Sequence, residues 1–114
     1  MTTIYKVLGR DEWEKALARG VFEGSEVDRR DGFIHFSAAQ QLRETVRRHF
    51  TARPDLILAA VDSSVLGPDL KWEESRGGDL FPHLYSVLSL DKITQAAPLP
   101  WLGETHDFPV DIPA

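Results

Sequence analysis

The chain has 114 residues, 42% of them hydrophobic, with three Trp, two Tyr and six Phe; this is enough for one core and too little for two. Its 13 Lys and Arg against 18 Asp and Glu give a formal charge of −5, which argues against a surface that grips nucleic acid by bulk charge. The lack of cysteine excludes disulfides, thiolate nucleophiles, iron–sulfur clusters and sulfur-ligated zinc.

The longest apolar run, Leu56 to Val61, falls far short of the ~20 residues that span a bilayer. Met1 to Gly9 has neither the basic start nor the apolar centre of a signal peptide. The expectation is a cytoplasmic chain with no membrane partner, monomeric or weakly dimeric.

Thr3 to Leu8 is rich in β-branched and aromatic residues and stops at Gly9, which predicts a first strand. Alternation then puts Ile4 and Lys6 on one face and Tyr5 and Val7 on the other. Asp11 with Glu14 fits a helix cap, and Trp13, Ala16 and Leu17 recur at helical spacing before Gly20, predicting a helix over 11–19. Val21 to Gly32 is dense in charge, carries two glycines and has no sustained period, so it is expected to be a loop.

Phe33 to Phe36 has strand character, and Ser37 with Gln40 forms an S-x-x-Q capping box for a helix reaching about Phe50. Leu42, Val46 and Phe50 would be its buried stripe. Arg43, Arg47, Arg48 and Arg53 are the one concentrated basic feature: a solvated face with cations near the negative end of the helix dipole, or a contact for RNA or a phosphorylated end.

Asp55 to Asp62 reads as a central strand buried on both faces. Asp62 to Ser64 caps a short turn, Leu70 to Glu73 alternates like a strand, and Gly77-Gly78 marks a turn. Leu80 to Val87 predicts a further strand with Pro82 tolerated at a sheet edge, and Lys92 to Ala96 a last one. Residues 98–114 form an extended tail with four prolines, anchored by Trp101 and Phe108. The fold expected is α+β: one domain over 1–97, with five to seven short strands in a split or two-sheet arrangement and two main helices.

Alternation sets His35 beside Phe33 and Ser37, a histidine and a hydroxyl projecting together at a strand end. His83 and Tyr85 share a strand face with Phe81, where they suit hydrogen bonding and stacking on a ligand, or a satisfied core edge. Glu73 and Glu74 follow Trp72, and only one of them faces inward. No metal ligand set is expected, since His35 and His83 sit on separate strands without short spacing. G-x-S-x-G and phosphate-loop patterns are both absent.

Taken together, Ile4-Tyr5-Lys6, Trp13 with Gly20, Gly32-Phe33-Ile34-His35 with Ser37 and Gln41, Trp72-Glu73, and Phe81-Pro82-His83-Leu84-Tyr85 resemble the bacterial family known as domain of unknown function 952. The resemblance covers about residues 4–100 and implies an ADP-ribosyltransferase-like fold. In such a fold NAD lies in a cleft between two small sheets. The resemblance places the first-strand contact near Tyr5 or Lys6, the second near His35 to Ser37, and the late ribose-steadying carboxylate at Glu73. The resulting expectation is a pocket for NAD or a related nucleotide. Glu73 and His35 are its candidate catalytic groups, with Tyr5, Lys6, Ser37, His83 and Tyr85 as ligand contacts. Turnover is left open against a non-catalytic module that holds a small molecule or a protein segment.

Overall fold

The computed structural model describes residues 2–113. In chain order the elements are β1 (Thr3–Gly9), α1 (Arg10–Arg19), β2 (Val21–Phe22), α2 (Glu26–Asp31), β3 (Ile34–His35), β4 (Ser37–Ala38), α3 (Ala39–His49) and β5 (Leu56–Asp62). After two single helical turns come β6 (Leu70–Glu74), β7 (Leu80–Leu84), β8 (Leu88–Ser89) and β9 (Ile93–Pro98). The strands make three antiparallel sheets, ordered β4-β1-β5-β9, β2-β8 and β3-β7-β6.

β1 and β5 pair along their whole length, from Thr3 opposite Asp62 to Gly9 opposite Leu56. That register sends Ile4, Leu8, Ile57, Ala59 and Val61 to one face, where they meet Ala16, Phe22, Ile34, Phe36, Leu84 and Leu88. The other face sends Val7, Leu56 and Leu58 against Leu42 and Val46 of α3 and against Leu99 and Ile112, beyond β9. Two cores on two faces of one sheet explain why residues 56–61 are apolar without alternation. Side chains as fully buried as Ile4, Leu42, Leu56 and Leu99 contribute roughly 1.5–3 kcal/mol each.

Several local expectations are corrected. The cap of α1 is Gly9, whose N–H donates to Glu12 Oε1 at 2.9 Å, so Asp11 and Glu14 lie inside the helix. Residues 21–32 are not a loop: they form β2, paired with β8, and α2. The Ser25 N–H donates to Asp28 Oδ2 at 2.9 Å, and Gly32, at φ 88°, closes the helix in a left-handed conformation.

Ser37 does not cap α3. It lies in β4 opposite Tyr5, and α3 begins at Ala39, with the Ala38 N–H donating to Gln41 Oε1 at 2.9 Å. β7 ends at Leu84 and is the middle strand of its sheet. Pro82 therefore sits in a central strand, just past the end of β3, with its carbonyl accepting from the Phe36 N–H at 3.0 Å. Beyond β9, Arg43 of α3 donates to the carbonyls of Ile112 and Pro113 and lies 4.5 Å over the Phe108 ring.

Candidate functional site

β3 lasts two residues because at Phe36 the chain leaves the three-stranded sheet and joins the four-stranded one as β4. Ile34 pairs with Leu84 in the core, so His35 and His83, the next pair, turn to the outer face. Lys71 is opposite His83 on the far side. One row across three strands thus carries imidazole, imidazole and ammonium.

Beside that row lies an aromatic patch. The Phe33 ring stacks on His83 with centroids 4.0 Å apart, and lies 4.6 Å from His35 and 5.2 Å from Tyr85. The two imidazoles are 5.6 Å apart and edge-on. Lys71 Nζ sits 6.0 Å from the Tyr85 ring centre.

Each imidazole is held by a carboxylate at Nδ1. His83 Nδ1 is 2.8 Å from Glu73 Oε1, and the Tyr85 hydroxyl donates to the same oxygen at 2.7 Å. The hydrogen bond from Tyr85, then that from His83, pulls the Glu73 carboxyl below its ordinary range against a desolvation that pushes it up. The same bond, with some burial, pushes the Tyr85 phenol up. Glu74, one residue on, is exposed, so Glu73 is the carboxylate that joins the histidine.

His35 Nδ1 is 2.7 Å from Oδ1 of Asp28, a carboxylate only 1% exposed. Asp28 also takes Lys6 Nζ at 3.0 Å on Oδ1 and 2.8 Å on Oδ2, and accepts the backbone N–H groups of His35 and Ser25. Burial pushes the Asp28 carboxyl up, but the His35 bond, the Lys6 charge and bond and the Ser25 N–H outweigh it and hold it well below the usual range. Lys6 is itself buried, and burial pulls its ammonium down while Asp28 partly restores it. Small Ala59 is the residue across from Lys6 on β5.

His35 Nε2 lies 3.1 Å from Oδ2 of Asp31. His83 Nε2 makes no hydrogen bond among the described residues. The His83 side chain is only 6% exposed, and since no fully buried side-chain polar atom there lacks a partner, that nitrogen keeps a narrow contact with solvent.

The structure therefore brings His35, His83, Glu73 and Tyr85 to one face, with Lys6 behind them through Asp28. Phe81 pairs with Glu73 on the same sheet. Tyr5 and Ser37 are not part of it. They face each other across β1 and β4, and Ser37 Oγ donates to Thr45 Oγ1 at 3.0 Å on the α3 side. Burial, with Asp111 nearby, pushes the Tyr5 phenol up.

The arginines of α3 and of the turn after it each have a partner, with Arg47 and Arg48 still exposed. Arg43 holds the tail, Arg47 and Arg48 both face Glu44 at 3.6 and 3.2 Å, and Arg53 lies over Phe50.

Sequence reasoning missed Asp28, Asp31 and Lys71. The Ser25-x-x-Asp28 spacing and Gly32 were the signals for the first two. No group of three or more His, Asp or Glu among the described residues is placed to hold a metal ion, and no helix there is long and apolar enough to cross a membrane.

The chain is similar to protein CC0527 from Caulobacter crescentus. Against its X-ray crystal structure the identity is 48% and the TM-score 0.90, over 93% of this chain and 94% of that one. Against its solution NMR structure the identity is 50% and the TM-score 0.83, over 93% and 91%. No curated protein matches. A family model described as protein of unknown function, DUF952, matches residues 7–96, and the chain belongs to that family.

Proposed function

We propose that the outer face of the β3-β7-β6 sheet binds a nucleotide, NAD or a relative of it, on an ADP-ribosyltransferase-like scaffold. The observation that carries this reading is the row His35, His83, Lys71 lying beside Phe33 and Tyr85. Phosphate oxygens accept from Lys71 Nζ and His35 Nε2, and a base or nicotinamide ring stacks on the aromatic patch. Neighbouring strands are about 4.8 Å apart, so a diphosphate can touch more than one member of the row.

Glu73 is the carboxylate in reach of a bound ribose. It already accepts from His83 and Tyr85 through one oxygen, which favours a second reading in which this carboxylate orients its neighbours and the ligand is held without ribosyl transfer.

Titration with NAD, ADP-ribose and nicotinamide, followed by thermal unfolding, tests the binding. A ligand at 100 times its Kd stabilises the native state by about 2.7 kcal/mol. Stabilisation lost in His35→Ala and Tyr85→Phe is the expected result, and no shift at millimolar ligand overturns it. Release of nicotinamide that disappears in Glu73→Gln separates transfer from binding alone.

A further inference from the structure

We infer that His83 and His35 are a general base and general acid that cleave a small phosphodiester with an alkoxide leaving group, the substrate class being ribonucleoside 2′,3′-cyclic phosphates. The inference rests on the outer face being the ligand site, and it adds a reaction that NAD binding does not require.

The assignment comes from an asymmetry between the two imidazoles. His83 has Nδ1 on Glu73 and, among the described residues, no hydrogen bond at Nε2. A neutral ring satisfies that arrangement with its proton on Nδ1, leaving an open lone pair for a base. His35 faces carboxylates on both sides, Asp28 at Nδ1 and Asp31 at Nε2. Only the doubly protonated ring donates to both, which is the form an acid needs.

The groups around the pair are few. His35 meets Asp28 and Asp31 of α2, with Lys6 of β1 behind Asp28, together with Phe33 and His83. His83 meets Glu73 and Phe33, with Lys71 opposite it on β6.

The substrate class follows from what an acid accomplishes. A phosphate leaving from an anhydride departs without a proton, whereas an alkoxide needs one. A dedicated acid therefore selects an ester. Phe33 and Tyr85 supply a stacking surface for one base, and a formal charge of −5 opposes a long polyanion, so the ester is mononucleotide in size.

In the step itself, a water oxygen forms a bond to phosphorus as its proton passes to His83 Nε2. The P–O2′ bond breaks, and O2′ takes the proton from His35 Nε2. One water is consumed and a 3′-phosphomonoester with a free 2′-hydroxyl leaves. The two histidines regain their starting protonation from solvent. Lys71, at the end of the row, stabilises charge on the non-bridging oxygens. Asp31, an exposed side chain, yields its place on Nε2 to the substrate.

The test compares two substrates. For 2′,3′-cyclic AMP the wild-type chain gives a bell-shaped pH profile of kcat/KM, and His83→Ala and His35→Ala each lose about 10²–10⁴-fold. For bis(p-nitrophenyl) phosphate, whose leaving group departs unprotonated, His83→Ala loses as much while His35→Ala stays within about tenfold of wild type. Circular dichroism of each variant verifies the fold.

No hydrolysis of 2′,3′-cyclic AMP by the wild type overturns the inference. So does equal damage to both substrates in His35→Ala. Nucleotide-induced stabilisation without hydrolysis keeps the binding reading and removes this one, and hydrolysis without stabilisation by NAD does the reverse.

Discussion

Two carboxylate–histidine pairs lie on the same sheet and differ in almost every physical respect. Asp28 is 1% exposed and holds His35, while Glu73 is 38% exposed and holds His83. Asp28 gathers a buried ammonium and two backbone amides as well, so it joins β1, α2 and β3. Among the described residues Glu73 accepts a side-chain hydrogen bond from Tyr85 alone besides its histidine. The same pairing of residue types is therefore structural at one end of the row and adjustable at the other. Dielectric surroundings decide which, because a buried charge without its partner is far more costly than an exposed one.

The largest expected effect separates the two pairs directly. Asp28→Asn leaves Lys6 buried without its bonded carboxylate, and urea unfolding is expected to register a loss of about 3–5 kcal/mol. The double variant Lys6→Met, Asp28→Asn regains part of that loss, since it removes the stranded ammonium. Equal stability of Asp28→Asn and wild type would erase the distinction between the pairs.

Acid should expose the same contrast. Above about pH 5 both folded and unfolded states carry an ionised Asp28. As pH falls through about 4, the unfolded chain takes the proton first, because the folded carboxyl is held lower. Stability is thus present above the unfolded pKa and drains away on acidification, by on the order of 2 kcal/mol. The urea midpoint measured from pH 6 to pH 3 reports it, and Asp28→Asn flattens the slope.

A smaller effect sharpens the packing side of the comparison. Gly24 has φ 108°, and a Cβ there would come within 3.0 Å of Asp28 Cβ. Gly24→Ala strains the backbone and presses on the buried carboxylate, at a cost of about 1–3 kcal/mol. Glu73→Gln is expected to change the unfolding midpoint least of all. Its effect belongs in nicotinamide release, with the thermal shift given by added nucleotide retained.

What was legible in the sequence was what is local. The alternation of Ile4 to Leu8, the continuous run at 56–61 and the helical spacing of Leu42 and Val46 each carry their own burial pattern. Glu73 and the two histidines were also visible as chemistry, though not their pairing, which depends on strand register between distant segments.

Asp28 was hidden for a different reason. α2 has six residues, too few to display an apolar period, and its charges resemble those of a solvated loop. Ser37 misled because a capping pattern is satisfied equally well one residue later, by Ala38 and Gln41. The chain's jump between sheets at Phe36 then carried Ser37 to the far side of β1.

The buried link from Lys6 to Asp28 also bears on how the molecule opens. A helix as short as α2 has almost no stability alone and would ordinarily fray on its own. Here its release would strip the counter-ion from Lys6 in the middle of β1, so it opens only when β1 and β5 open. The backbone amides of Ser25 and His35, both bonded to the Asp28 carboxylate, should then exchange their hydrogens with deuterated water as slowly as amides of the central strands. A peripheral segment acquires the lifetime of the core.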